Sequence, residues 1–300
     1  MNVLVTGGTG FVGREILREL VASGHRVRIL SRGTWKSPGQ SDNTVPGNVL
    51  DAASLPQAFA GVDAVIHLVG IISEVGEQTF EHVHVLGTQN VVSAAEQAGV
   101  KRFVHMSALG TRPNAVARYH QSKWAAEEIV RGSGLDWTIF RPSIIYGPGD
   151  GFVNLFARII RRSPIVPIMG NGESKFQPVT VESVAIAFVK ALAEPPAVRQ
   201  TFDLCGAEVF TLNEIVDAIL TVMQRQRLKL HVPLAAARFQ AALLEFIYPK
   251  VLGKAAPLNR DQLHMLQEDN TGETRAATDL FGLDHPPFRQ RIARYLCPSS

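Results

Sequence analysis

Short β-branched runs alternate with longer stretches of helical periodicity through the first half of the chain, the pattern of a parallel sheet whose strands are joined by crossover helices. Strands are predicted at residues 3–5, 27–30, 45–49, 64–68, 102–106 and 137–140, with helices between them at 11–22, 53–59, 80–98 and 117–131. In the first helix Phe11, Ile16 and Leu20, with Val12, Leu17 and Val21, recur at steps of three to five residues and form one broad apolar face to lay on the sheet.

The strict alternation ends after RPSIIYGPGDG, residues 141–151, where Pro142, Pro148, Pro164, Pro167, Gly170 and Gly172 begin to punctuate the chain. A change of lobe is predicted there. A strand at 177–181, a helix at 182–192 and a strand at 201–204 can still return to the first sheet, and the tail from 211 to 296 is mostly helical in pattern. The expected fold is α/β: a Rossmann doubly wound parallel sheet over residues 1–147, joined by 176–206, with a smaller mixed, mostly helical C-terminal lobe from 148–175 and 207–300.

Composition narrows the function classes. Of 300 residues 46% are hydrophobic and 19% charged, ordinary for a globular protein, and no segment is of low complexity. The net charge of +3 comes without a run of basic residues and with only three tryptophans and four tyrosines, which argues against nucleic acid as a partner. Cys205 and Cys297 stand far apart with no metal-ligand spacing, so a reducing, cytoplasmic setting is expected. Residues 232–252 are apolar but interrupted by Pro233, Arg238, Glu245, Pro249 and Lys250, which excludes a membrane span. Within them an apolar helical face with Arg238, Lys250 and Lys254 nearby fits either the core of the small lobe or peripheral contact with the inner face of a membrane.

The stretch VTGGTGFVG, residues 5–13, packs four glycines between the first strand and the first helix. It reads as Gly7-x-x-Gly10-x-x-Gly13 or as Gly8-x-Gly10-x-x-Gly13. Either register answers three demands of a dinucleotide seat: a turn with positive φ, a bare backbone beneath the pyrophosphate, and close packing of helix on strand. The helix N-terminus adds unpaired N–H groups and partial positive charge. The second strand ends RILSRG, and no acidic residue lies between Arg26 and Ser41. An acid there would suit the ribose hydroxyl of NAD(H); Ser31 and Arg32 suit the 2′-phosphate of NADP(H), which is the cofactor expected over NAD(H).

Tyr119 and Lys123 in RYHQSKWAAEE are four apart and share a helix face, so an ammonium can draw the phenol towards a working pKa and hold a ribose. Ser107, at the end of the fifth strand, lies at the carboxyl edge of the sheet and can bond a carbonyl oxygen. His82 and His84, two apart on a helix, lack a third ligand, so no metal is expected. No G-x-S-x-G elbow supports a hydrolase.

TGGTGFVG, YHQSK and RPSIIYGPGD together resemble the short-chain dehydrogenase/reductase superfamily in its atypical, extended branch, over nearly the whole chain. RDQLHMLQEDN and FQPVTVESVA resemble bacterial relatives of the nucleotide-binding accessory subunit of respiratory complex I. The resemblance implies a bound NADP(H) that is structural in the mitochondrial subunit, and a respiratory or quinone-handling partner. It places cofactor contacts on Gly7, Thr9, Gly10, Phe11, Val12 and Gly13, then Ser31 and Arg32, Asn48 and Val49, and Leu68, Val69 and Gly70. Tyr119, Lys123, Pro142 and Ser143 would flank the nicotinamide. The chain departs from active relatives at Ala108, where a second serine or threonine is usual, at His84 in place of a helical asparagine, and at Asn48 in place of an aspartate. Two expectations follow: NADP(H) held without efficient turnover, or an oxidoreductase for a carbonyl or quinone-like molecule, with a sugar-nucleotide epimerase or dehydratase as a variant of the second.

Overall fold

The computed structural model describes residues 1–33, 43–248, 253 and 255–297. The first half runs β1 (Asn2–Thr6), α1 (Phe11–Ala22), β2 (Arg26–Ser31), β3 (Thr44–Pro46), α2 (Pro56–Phe59), β4 (Ala64–His67), a π-helical turn at Glu81–Leu86 that continues into α3 (Gly87–Gln97), β5 (Arg102–Met106), α4 (Arg118–Gly132) and β6 (Asp136–Pro142). The second half runs β7 (Ile145–Tyr146), α5 (Val153–Arg162), β8 (Ile165–Met169), β9 (Lys175–Phe176), β10 (Val179–Thr180), α6 (Val181–Lys190), β11 (Gln200–Leu204), β12 (Phe210–Thr211), α7 (Leu212–Val222), β13 (Leu228–Val232), α8 (Leu234–Ile247), α9 (Arg260–Gln267), α10 (Arg275–Phe281) and α11 (Phe288–Leu296).

Seven parallel strands form the central sheet in the order β3-β2-β1-β4-β5-β6-β11. The order reverses between β1 and β4, as in a doubly wound Rossmann sheet. Alternation along β1 shows why both faces need helices. Val3 and Val5 join Ile16, Leu17 and Leu20 of α1 and Val184, Ala187 and Phe188 of α6 in one core, while Leu4 joins Phe59, Val91, Val92, Phe103 and Val130 in the other. A third core fills the C-terminal lobe, where α5, α7 and α11 pack on Val166 and Ile168 of β8.

Several elements differ from expectation for local reasons. The helix predicted at 53–59 is broken into a 3₁₀ turn at Ala52–Ser54 and α2, because Pro56 starts a new helix and supplies no N–H to the preceding turn. The helix predicted from 80 opens as the π-helical turn, which leaves His82 exposed and His84 buried. The strand predicted at 177–181 is only two residues long and pairs with β7 outside the central sheet, since Thr180 is already the N-cap of α6. The return to the sheet is made by β11. The tail expected to be mostly helical also contains β12 and β13, the latter foreshadowed by the alternation of Leu228, Leu230 and Val232. Lys250 and Lys254, noted beside the apolar segment, lie outside the described residues.

Phe188 is fully enclosed, with its ring centroid 4.7 Å from that of Phe140. Phe188→Ala is expected to lower the unfolding free energy by about 3–5 kcal/mol, whereas Val21→Ala on the exposed side of α1 changes it by about 0.5 kcal/mol or less. Urea denaturation of the two variants checks both outcomes.

Candidate functional site

The glycines after β1 divide their labour. Gly7 takes φ +75° and turns the chain beneath the strand beside it, where an added Cβ would stand 3.1 Å from Leu68 C and Val69 N. A Cβ on Gly13 would fall 2.4 Å from Gly7 O and 2.6 Å from Gly8 Cα, an approach that only glycine permits. Gly8 has neither a positive φ nor a backbone collision. The operative register is therefore Gly7-x-x-Gly10-x-x-Gly13. Gly10 is the N-cap of α1 and supplies no side-chain cap, and the first turn holds no acidic residue. Its amides face the carboxyl edge of the sheet with nothing of the helix's own to satisfy them.

They open onto a cavity of about 500 Å³ at the split between β1 and β4. Thr6, Gly7, Thr9 and Gly10 line one side; Ser31, Arg32 and Gly33 follow β2; Gly47, Asn48, Val49 and Leu50 follow β3; Leu68, Val69, Gly70 and Ile71 follow β4. Arg32 is the single charged group among these lining residues. Asn48 turns its Oδ1 to the Leu50 N–H at 3.1 Å, which leaves the amide hydrogens as what it offers a ligand. The bare glycine cradle, the uncapped helix and a cavity at the switch point fit a dinucleotide, its pyrophosphate at the start of α1.

The structure brings ten of the expected cofactor residues together on this wall: Gly7, Thr9, Gly10, Ser31, Arg32, Asn48, Val49, Leu68, Val69 and Gly70. Gly13 serves from behind, by packing. Phe11 and Val12 are half-buried in the first turn of α1 and do not line the cavity with side chains. Pro142 and Ser143 are also away from its lining; Ser143 Oγ instead donates to Asn270 Oδ1 at 2.5 Å, tying the end of β6 to the segment before α10. Sequence reading missed Gly47, where a Cβ would meet Leu30 Cδ1 at 2.6 Å, and Gln78 and Val83 on the far side. The proline-glycine turn at 46–47 was the available signal for the first of these.

Tyr119 and Lys123 do share a face of α4, with a different electrostatic result from the one expected. Lys123 is buried and its Nζ donates to Met106 O at 3.1 Å, at the end of β5. A Cβ on Gly70 would lie 3.0 Å from that Nζ and 3.4 Å from His84 Nε2, so glycine lets both groups reach the cavity wall. Burial pushes the ammonium down to about 8, against the pull of Glu127. The Tyr119 ring stands edge-on to Phe80, His84 and His120, at centroid distances of 5.9, 5.5 and 5.2 Å. Burial pushes its phenol up to about 12, so the expected lowering by Lys123 is not what prevails.

Ser107 is buried, and its Oγ lies 3.4 Å from Thr111 Oγ1, turned into the protein. His84 has a clear structural part: Nε2 accepts the Ile71 N–H at 3.0 Å, and Nδ1 therefore donates to Ser122 Oγ at 2.8 Å. Ser122 Oγ in turn donates to Tyr119 O. His82 bonds the Glu77 carbonyl instead, so the two histidines are parted. Beyond Phe80 and Arg118 a second cleft of about 490 Å³ lies between the loop after β4 and the helices α8 and α9. The Glu74–Arg118 and Glu245–Arg260 ion pairs line it, and Asn259 joins its walls by donating to Ile72 O and Ser73 Oγ.

Comparison with known proteins agrees with this geometry. A family model described as NAD(P)H-binding matches residues 7–195. The chain is 30% identical over 278 residues to the mitochondrial NADH dehydrogenase [ubiquinone] 1 alpha subcomplex subunit 9 of Arabidopsis thaliana, covering 88% of this chain and 69% of that protein. It is 30% identical over 224 residues to a ceramide reductase of Caulobacter vibrioides, covering 74% and 70%. A UDP-glucose 4-epimerase from Thermotoga maritima superposes with a TM-score of 0.77 over 99% of this chain and 97% of the other, at 19% identity, a likeness of fold alone. The chain thus belongs to the NAD(P)H-binding family, within the atypical short-chain dehydrogenase/reductase superfamily.

Proposed function

We propose that the protein holds NADP(H) in the cavity between β1 and β4 as a resident cofactor, without efficient turnover, while its C-terminal lobe meets a respiratory or quinone-handling partner. The observation that carries this reading is the uncapped start of α1, which opens on the cavity at the β1–β4 split with Arg32 as the single charged group among its described lining residues; burial also pushes the phenol of Tyr119 up to about 12. A phenol so reluctant to ionise is a poor relay at neutral pH. Ser107 is buried, with its Oγ 3.4 Å from Thr111 Oγ1, and Ala108 beside it brings no second hydroxyl to the strand end. Arg32 at the end of β2, with no acidic neighbour among the described residues of the cavity wall, supports the phosphorylated form of the cofactor. Similarity to the complex I subunit supports the choice of partner.

A reductase is the second reading, favoured by the position of Lys123 against Gly70 and by the second cleft beside Phe80 and Arg118. The nicotinamide would supply hydride. Tyr119, still protonated, would donate to the carbonyl oxygen, and Lys123 would hold the ribose hydroxyls while it keeps its proton. Similarity to the ceramide reductase agrees with this alternative.

Three outcomes are expected. Protein purified without added nucleotide and then denatured releases NADP(H), and carbonyl or quinone acceptors leave the reduced form unoxidised; rapid oxidation that Tyr119→Phe abolishes would replace this reading with the reductase. Arg32→Ala weakens NADPH by about 10- to 100-fold in calorimetric titration, for the loss of a charge-assisted bond of about 1.5–3 kcal/mol, and leaves NADH little changed. The third concerns pH. Lys123 is lowered from its ordinary 10.5 to about 8, so in that interval the unfolded chain binds more protons than the folded one. Stability relative to Lys123→Met therefore rises as pH climbs from about 8 to 10.5, as denaturation at a series of pH values would show.

A further inference from the structure

The ribbon of β8 and β13 presents two faces. Val166 and Ile168 point into the core of the lobe, while Met169 and Val232, at the far ends of the opposite face, pack with Ala237 and Ala241 of α8 and Leu263 of α9. The strands pair Ile165 with Leu228 and Pro167 with Leu230, and strict alternation puts these four on the same face as Met169 and Val232. Helix α8 leaves Ile165, Leu228 and Leu230 exposed, Leu228 at 66% and Leu230 at 49%. With Ala237 and Ala241 turned inward, Phe239 and Leu243 project from the opposite side of α8, Phe239 at 75% exposure.

Charge distinguishes the partner. No Asp or Glu occurs between Asp150 and Glu173, or between Asp217 and Glu245, and the pairing of β8 with β13 joins these two acid-free stretches. Lys229 pairs with Asp217. Arg162, Arg225 and Arg238 are exposed and have no acidic partner among the described residues. Two copies of this chain meeting through the face would set like charges together, which disfavours self-association there. Among the described residues no helix is long and apolar enough to cross a membrane, so contact with lipid would be peripheral.

We propose that this face docks the protein on an anionic lipid bilayer, with Phe239, Leu228 and Leu230 entering the acyl boundary and Arg162, Arg225 and Arg238 meeting headgroup phosphates. Apolar insertion and basic attraction are each weak alone and stable together. The face is separate from the cofactor cavity, and the proposal holds whether or not the cofactor turns over.

Flotation of the full chain with vesicles tests it, using phosphatidylglycerol mixed with phosphatidylcholine against phosphatidylcholine alone, at low and high salt. Binding is expected on the anionic vesicles and is weakened by salt. Phe239→Glu and the Leu228→Glu, Leu230→Glu pair each lower partitioning about tenfold or more; Arg225→Ala and Arg238→Ala lower it about fivefold apiece. Unchanged thermal unfolding verifies that the variants are folded, and the alanine variants carry the test if a glutamate variant is not. Lack of binding at low salt, or equal binding to both vesicles regardless of the variants, overturns the proposal. Concentration-dependent self-association that Phe239→Glu abolishes, without vesicle binding, overturns it in favour of a second copy as the occupant.

Discussion

Backbone lies against backbone where α1 meets the end of β1, and the site depends on that contact. Side chains normally hold a helix away from the backbone it packs on; at Gly13 a single Cβ would already collide with Gly7 O. The close approach brings the uncapped amides of α1 to the carboxyl edge of the sheet. Gly7, with its positive φ, passes the chain beneath the Leu68–Val69 backbone, so the loop after β4 becomes the opposite wall. Cavity, anion seat and topological switch point coincide because one glycine-rich turn builds all three.

The neighbouring polar groups are ordered by loss of water. Lys123 shares its surroundings with His67, His84 and Tyr119, and burial moves each towards its neutral form: His67 to about 3, His84 to about 2 and Tyr119 to about 12. The ammonium adds to the lowering of both histidines. Neutral His84 can then accept the Ile71 N–H while donating to Ser122, which fixes the wall of the cavity to α4. His105 extends the buried row, stacked on His67 at 5.4 Å, with neither ring nitrogen hydrogen-bonded.

The central sheet and the β8–β13 ribbon solve different burial problems. Helices cover both faces of the central sheet, and the middle of β1, Val3, Leu4 and Val5, is accordingly apolar without a break. The β8–β13 ribbon has only one face fully packed, and its open face is the one bearing Leu228 and Leu230. The candidate cofactor cavity lies at the edge of the sheet, while the uncovered apolar surface lies on the ribbon.

Local chemistry made the first half legible. Turn glycines, helical periodicity and the residues at strand ends act over a few positions, so Gly7, Gly10, Gly13 and Arg32 could be placed from order along the chain alone, whereas Asn48 came from the family resemblance. The choice of Gly7 over Gly8 required its φ and the Leu68 backbone. The direction of the Ser107 hydroxyl required Thr111, and the diversion of Ser143 required Asn270, 127 residues away. Tyr119 and Lys123 were visible as a pair, but the order of their pKa shifts was not, since spacing reports which groups meet and says nothing of how much water remains around them. The pairing of β13 with β8 was likewise beyond reach, because alternation marks a strand without naming its neighbour. Sequence determined the local conformations, and only the packing of distant segments decided which polar groups were desolvated and which apolar face stayed open.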